Sequence, residues 1–402
     1  MKYFFALLIT FLLMSCSSKE TPIQPGSWKG VLLLDGGREI PFLAEWGADT
    51  TLTVINAEER ILIDDIRISG DSVVIKHPVF EGEIRGAHRN DSIIGTFSIE
   101  SLQRSIPVVM TYGRHSRFAI SEAPSVVLSG VWETVFSPNS NTDSYVAKGV
   151  FDQTGNRITG TFETVTGDYR FLDGVVVNDS VKLSTFDFSH AFLFEASVTD
   201  SVLTGTFYSG NHWTEPFRSE RNEAYKLPDP DSITKLKEEY ARVQFAFPNT
   251  AGDTVSLDDA RFQNKAVIVQ IMGSWCPNCL DETRFLTDYY ENRPKNVEIV
   301  ALAFEDAATR AKAMARINRL KEALEIPYPI LLAQYGSSDK QLANSKLPML
   351  TTIKSYPTTI FIAPNGKVTR IHTGFNGPAT GKKYEKFKKD FKKYVEEMVS
   401  DK

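Results

Sequence analysis

The chain has 402 residues, of which 42% are hydrophobic and 24% charged, with a formal net charge of -5. That length excludes a single ordinary domain and points to two or three. The mild acidity leaves no electrostatic footprint for nucleic acid, and the six histidines are scattered without metal-ligand spacing, so no metal site is expected.

The first element is a leader. Lys2 precedes an apolar run from Tyr3 to Met14 that is too short to cross a bilayer as a helix. This is the pattern of a secretory signal peptide. It ends in Leu13-Met14-Ser15-Cys16, which resembles a bacterial lipobox. That resemblance implies a signal peptide over residues 1–16, with Cys16 lipidated and first in the mature chain. The protein is then expected in a bacterial cell envelope, on the periplasmic side, held to a membrane by lipid. A plain signal peptide with an incidental Cys16 is the alternative. The remaining cysteines are Cys276 and Cys279 alone. A protein stabilised by disulfides would scatter cysteines in pairs; here the two form Cys-x-x-Cys, so the pair is read as chemistry.

From about Pro25 to Arg218 short runs of Val, Ile, Phe and Thr alternate with Gly, Asn and Asp clusters, which predicts strands and turns. The region matches itself. Gly26-Ser27-Trp28 corresponds to Gly130-Val131-Trp132, Asp71-Ser72-Val73 to Asp179-Ser180-Val181, and Asp91-Ser92 with Gly95-Thr96-Phe97 to Asp200-Ser201 with Gly205-Thr206-Phe207. The Trp-to-second-Asp intervals are 63 and 68 residues. Each Asp-Ser step reads as a tight turn entering a strand. The expectation is two tandem antiparallel repeats, over 25–118 and 125–218, as two small barrels or sandwiches or two halves of one. Trp213 is read as a core residue, and a scaffold without a pocket is as open as a binding face.

A polar stretch with Pro228 and Pro230 marks a linker over 219–235. The pattern then becomes β/α. Ala266 to Met272 is a continuous apolar run, as in a strand covered on both faces. Gly273-Ser274 ends it, and Trp275-Cys276-Pro277-Asn278-Cys279 leads into helical spacing at Phe285, Leu286, Tyr289 and Tyr290. Cys276 is thereby placed at a helix N-terminus, where free N–H groups and the helix dipole favour an anion. The attacking species in disulfide exchange is the thiolate, and Cys279, one turn on, is placed to resolve a mixed disulfide. Further strands are expected over Val297 to Phe304, Tyr328 to Leu332, Thr358 to Ala363 and Val368 to His372, with an Asn365-Gly366 hairpin between the last two. A helix is expected over Thr309 to Leu324, and a terminal one with Tyr384, Phe387, Phe391, Tyr394, Val395 and Met398 on one face.

Trp-Cys-x-x-Cys after a central strand, with Tyr356-Pro357-Thr358-Thr359 before a later one, resembles the thioredoxin superfamily, and more narrowly the membrane-anchored TlpA/ResA-type disulfide reductases. The lead-in from Phe245 to Leu257 and the segment from Ile326 to Leu350 match that group's N-terminal hairpin and central insertion. The implied fold is an α/β thioredoxin-like domain over 236–402 preceded by the all-β region. The resemblance implies that Pro357 is cis beside the cysteines, and that Trp275, Tyr356 and Pro357 contact the substrate. Two positions depart from relatives: Gln270 stands where thioredoxin has a buried acid, and Arg284 where the narrower group has proline.

Glu282 matches an acidic residue of the narrower motif. It shares a helix face with Cys279 by its three-residue spacing, whereas Asp281 is expected to point elsewhere and its change to Asn to leave substrate reduction nearly unaffected. A carboxylate shielded from water has a raised pKa and can accept the thiol proton, so Glu282 joins Cys276 and Cys279 as a catalytic candidate. The function implied is reduction of disulfides in exported proteins, with an upstream membrane thiol as electron donor and no cofactor. A binding lipoprotein whose thioredoxin module is secondary is one alternative. A thiol peroxidase is another, disfavoured because Gly273-Ser274-Trp275 stands where peroxidases of the superfamily carry threonine in a proline-containing loop.

Overall fold

In the computed structural model, which describes residues 22–401, apolar side chains alternate along the strands before the linker and point into two curled sheets. Cys16 and the leader lie outside the described residues. The first sheet is a meander of β1 (Gly26–Leu33), β2 (Glu39–Trp46), β3 (Leu52–Asn56), β4 (Glu59–Ile63), β5 (Asp65–Ser69), β6 (Ser72–Lys76), β7 (Glu83–Arg89), β8 (Ser92–Ile99) and β9 (Arg104–Tyr112). Its order is 4-3-2-1-9-8-7-6-5, a barrel-like sheet left open between β4 and β5. The second runs through β10 (Gly130–Phe136), β11 (Tyr145–Thr154), β12 (Arg157–Glu163), β13 (Leu172–Val177), β14 (Ser180–Phe186), β15 (Ala191–Thr199), β16 (Val202–Ser209) and β17 (Trp213–Arg221). It closes into a barrel where β10 pairs with β17.

The Asp-Ser steps fall at two-residue hairpins, pairing Ser69 with Ser72, Arg89 with Ser92, Val177 with Ser180 and Thr199 with Val202. Each loop opens on a left-handed residue, Gly70, Asn90, Asn178 or Asp200, with φ of 60, 53, 55 and 50°, as such short loops require. Trp28 and Trp132 are buried in β1 and β10, and each indole donates to the carbonyl four residues earlier, Gln24 and Leu128, at 2.9 Å. Trp213 departs from expectation: it begins β17 and is 49% exposed, because it sits at the barrel rim. The barrel also continues to Arg221, past the expected boundary at 218, since Glu133 pairs with Glu220.

The two sheets are sutured together. Phe186, Phe188 and Leu193 of the second pack with Trp28, Phe42 and Phe97 of the first. Arg117, in the connection between them, is buried and donates to the carbonyls of Pro41, Ile55 and Ser184 at 3.1, 2.5 and 3.2 Å.

The C-terminal domain opens with a hairpin of β18 (Ala246–Pro248) and β19 (Thr254–Ser256), followed by β20 (Ala266–Met272), α1 (Pro277–Glu291), β21 (Val297–Phe304), α2 (Arg310–Ala323) and β22 (Ile330–Gln334). A short α3 (Lys340–Lys346), β23 (Thr358–Ile362), β24 (Val368–Thr373) and α4 (Lys382–Ser400) complete it. The five-stranded sheet has the order β22-β21-β20-β23-β24, with β20, β21 and β22 mutually parallel and β23 antiparallel to both of its neighbours, β20 and β24. Every residue of β20 and β21 is buried, which is why their sequences, Gln270 and Glu298 apart, are apolar throughout rather than alternating. α4 lays Phe391, Val395 and Met398 against this sheet and leaves its lysines outside.

The linker reads as a divider, yet the β sheets pack against the C-terminal domain. Val79 and Phe80, between β6 and β7, join that domain's core. Glu81 receives Arg316 of α2 in a bidentate pair at 2.6 and 2.7 Å. The linker itself is tied down, because Asp231 pairs with Arg370 and with His372 at 2.7 Å.

Gly30 of β1 faces inward under the Phe42 ring, and an added Cβ would stand 2.0 Å from that ring's Cζ. Overpacking of this kind costs about 1–3 kcal/mol. Gly30→Ala is expected to lower the denaturant midpoint accordingly, and Phe42→Leu in the same chain to restore part of it; a midpoint equal to wild type for Gly30→Ala alone would refute the packing account.

Candidate active site

Gly273 ends the buried strand β20 and lets the chain turn sharply, since a Cβ there would meet Trp275 Nε1 at 2.5 Å. Trp275 donates to the Phe304 carbonyl at 3.0 Å and stands edge-on to Tyr356 at 5.7 Å. This fixes the residue before Cys276, which caps α1 with extended backbone angles while Pro277 fills the first helical position.

The two thiols are free and differ in setting. Cys276 Sγ accepts from the Cys279 amide at 3.3 Å and donates to the Tyr356 carbonyl at 3.5 Å. The first of these donors is an N–H of the α1 N-terminus. Cys276 is 8% exposed and Cys279 0%. Burial drives the Cys279 thiol well above its usual range, with the hydrogen bond and charge of Cys276 adding to the rise and the Glu282 charge a smaller contributor. The Tyr356-Pro357 bond is cis, as the resemblance implied.

Glu282 lies beneath this pair, also buried. Its Oε2 accepts from Gln270 Nε2 at 2.9 Å and its Oε1 from Thr359 Oγ1 at 2.6 Å. Burial raises its pKa, and those two bonds oppose the rise without cancelling it. Gln270, expected only as a missing acid, is thus the donor that orients Glu282, and it also donates to Thr283 Oγ1 at 3.1 Å. Thr359, present in the Tyr-Pro-Thr-Thr motif but given no role there, supplies the second bond. The structure brings Trp275, Cys276, Cys279, Tyr356, Pro357 and Glu282 together around the α1 N-terminus.

Asp281 does face away from Cys279, but toward Arg170 of the second barrel, with which it makes a buried ion pair. Arg284 pairs with it more loosely at 3.7 Å. A substitution at Asp281 therefore removes one partner of a buried pair, which is costly to stability whatever it does to the rate of reduction.

Glu305 had no sequence signal. It follows β21 and takes two donors from Ser274, the backbone N at 2.8 Å and Oγ at 2.7 Å. It thereby clamps the loop that carries Trp275 and Cys276. Burial pushes its pKa up to about 7, with the two Ser274 bonds and the Arg316 charge pulling downward.

Comparison with known proteins agrees with this geometry. Residues 234–387 match the Redoxin family model. The thiol-disulfide oxidoreductase ResA of Bacillus subtilis is 24% identical over 131 residues, covering 32% of this chain and 64% of that protein. ResA of Oceanobacillus iheyensis is 27% identical over 154 residues, covering 38% of this chain and 68% of that protein. Among solved structures, a thiol-disulfide oxidoreductase from Bacteroides fragilis aligns with 37% of this chain and 99% of its own at 19% identity and a TM-score of 0.27. A DsbF homologue from Corynebacterium diphtheriae aligns with 43% and 98% at 16% identity and a TM-score of 0.31. The C-terminal domain is therefore a redoxin domain of the thioredoxin superfamily. Its sequence relatives of the ResA type are thiol–disulfide oxidoreductases, and the chain spans 64% of the length of the first of them.

A carboxyl whose pKa is higher folded than unfolded holds its proton more tightly in the native state. Its stabilising contribution is complete below the unfolded pKa and is lost as pH rises through the folded one. For Glu305 that window runs from the ordinary value of 4.5 to about 7, worth about 3 kcal/mol at 1.36 kcal/mol per unit. Stability of wild type relative to Glu305→Gln should therefore fall between pH 4.5 and about 7; parallel stability–pH curves for the two proteins would contradict it.

Proposed function

We propose that this chain is a membrane-tethered thiol–disulfide oxidoreductase that reduces disulfides of exported proteins through Cys276 and Cys279. The observation that carries the reading is the pairing of a helix-capping thiol, beside the cis Tyr356-Pro357 bond, with a fully buried second thiol one turn further along. The ResA-type relatives support it by their activity.

In this reading the Cys276 thiolate attacks one sulfur of the substrate disulfide, and the other sulfur leaves as thiolate and is protonated. Cys279 then loses its proton and attacks Cys276 Sγ. The substrate's second sulfur leaves, and a Cys276–Cys279 disulfide remains. Two electrons have passed to the substrate, and an upstream membrane thiol donor restores the dithiol. Glu282 takes the Cys279 proton: burial raises the pKa of both groups, so the transfer is closer to balanced than with an exposed carboxylate. Trp275 and Tyr356 frame the approach to Cys276.

The lipobox-like leader supports anchoring at Cys16 and a periplasmic setting. The matched tryptophans and hairpins support reading the two β sheets as copies of one unit, the first opened at its seam and the second closed.

Reduction of dithionitrobenzoate is the direct test of the activity. With a disulfide substrate, Cys279→Ser should accumulate a mixed disulfide at Cys276 and Cys276→Ser should accumulate none; the reverse pattern would exchange their roles. Glu282→Gln should slow reduction by on the order of a hundredfold and flatten its pH dependence near neutrality, and rates equal to wild type from about pH 6 to 9 would return Glu282 to a packing role.

A further inference from the structure

The loop between β12 and β13 leaves its own barrel and lies across the cysteines. Thr164 Oγ1 closes a turn, accepting from the amides of Thr166 and Gly167 at 3.1 and 3.2 Å. The Thr166 carbonyl accepts from Ser355 Oγ at 2.8 Å, beside Tyr356. The Asp168 carbonyl accepts from Asn278 Nδ2 at 3.4 Å, between the two cysteines. Asp168 Oδ2 accepts from the Gly377 amide at 2.7 Å, in the loop after β24. One short segment thus touches the cis-proline loop, the Cys-x-x-Cys turn and a third loop beside them. The contact is flush: a Cβ on Gly167 would stand 2.0 Å from Asn278 Nδ2.

Both ends of the segment are fixed differently. Tyr169 stacks on Phe136 inside the barrel at 5.4 Å, which roots it. Arg170, next to it, holds a left-handed φ of 63° that a non-glycine residue rarely adopts. Its buried guanidinium reaches Asp281 of α1, Glu59 at 2.8 Å and Asp187 at 3.4 Å. Among these partners Asp281 alone belongs to the C-terminal domain. Within residues 164–170 that pair is the ion pair to the C-terminal domain, while Tyr169 keeps the segment rooted in the barrel.

We infer that residues 164–170 form a specificity gate over the dithiol: docked, they leave Cys276 open to small disulfides and closed to the disulfides of folded proteins, and Arg170 holds them docked. The inference rests on the thiol–disulfide activity proposed above. A folded protein's disulfide must bring a wide surface against Cys276, and that surface is occupied by the protein's own chain. A small disulfide needs only the 8% of Cys276 that remains exposed. The gate is thus part of what determines which substrates are reduced.

The test uses the full chain and two substrates, insulin and dithionitrobenzoate. Arg170→Gln should raise the rate on insulin relative to that on dithionitrobenzoate by about tenfold or more, since a buried ion pair to the docking surface is lost. An unchanged ratio in a variant with wild-type circular dichroism would make the segment a static interface and end the proposal. Absence of dithionitrobenzoate reduction by wild type would instead sink the thiol–disulfide reading. Labelling of wild-type Cys276 keeps the occlusion refutable even if Arg170→Gln fails to fold. Iodoacetamide should react at least about tenfold faster relative to a polymer-linked maleimide than it does with the same cysteine in a denatured chain, and equal relative rates in the two states would refute the gate.

Discussion

The buried guanidinium of Arg170 is the point at which the two β units and the C-terminal domain are tied to one another. It lies in the β12–β13 loop of the second barrel, while Glu59 comes from the first sheet and Asp281 from the helix that carries the cysteines. A charge removed from water is tolerated only with close partners. Here the partners lie on different units, so the cation is satisfied only when all of them are assembled. Asp187 completes the cluster, its pKa held low by the His190 and Arg170 charges and the His190 hydrogen bonds despite the opposing effect of burial. Glu59 and Asp168 nearby have raised pKa values, burial being the larger cause in each. The cluster therefore contains carboxyls of unequal proton affinity around one fixed cation.

A similar economy governs the two acids behind the dithiol. Glu282 and Glu305 are both buried and both raised, but their partners assign them separate work. Gln270 and Thr359 aim Glu282 from the sheet toward the base of α1, whereas Ser274 occupies both oxygens of Glu305 in the loop above. The first carboxylate bears on a proton and the second on a backbone shape.

What could be read from the chain follows from the range of the interactions involved. β21 falls at Val297–Phe304 as expected, because a fully covered strand writes itself as a mostly apolar run, interrupted here by Glu298. Thr309 caps α2 and Pro277 opens α1, both local signals. The turn residues of the β sheets were legible for the same reason. Arg170 was not, because it meets Glu59 and Asp281 at sequence separations of 111 residues each, and nothing in its neighbourhood marks it. Helix geometry turned Asp281 away from Cys279 correctly but could not say what it turned toward. Glu305 escaped notice because its acid follows a strand that looks complete without it. Trp213 was misread because composition does not distinguish a rim from an interior.

The open seam between β4 and β5 has a consequence for association between molecules. The second barrel closes and offers no strand edge, but the first sheet ends in two. Such edges carry rows of unpaired backbone groups that invite another chain to add a strand. Leu62 and Ile68 are exposed beside them, which strengthens the invitation. Arg60, Asp64, Asp65 and Arg67 punctuate the same stretch with charge, and charged side chains on an edge are a recognised defence against intermolecular pairing. In the β region, the pressure toward aggregation and the resistance to it are therefore written in the same few residues, from 59 to 69.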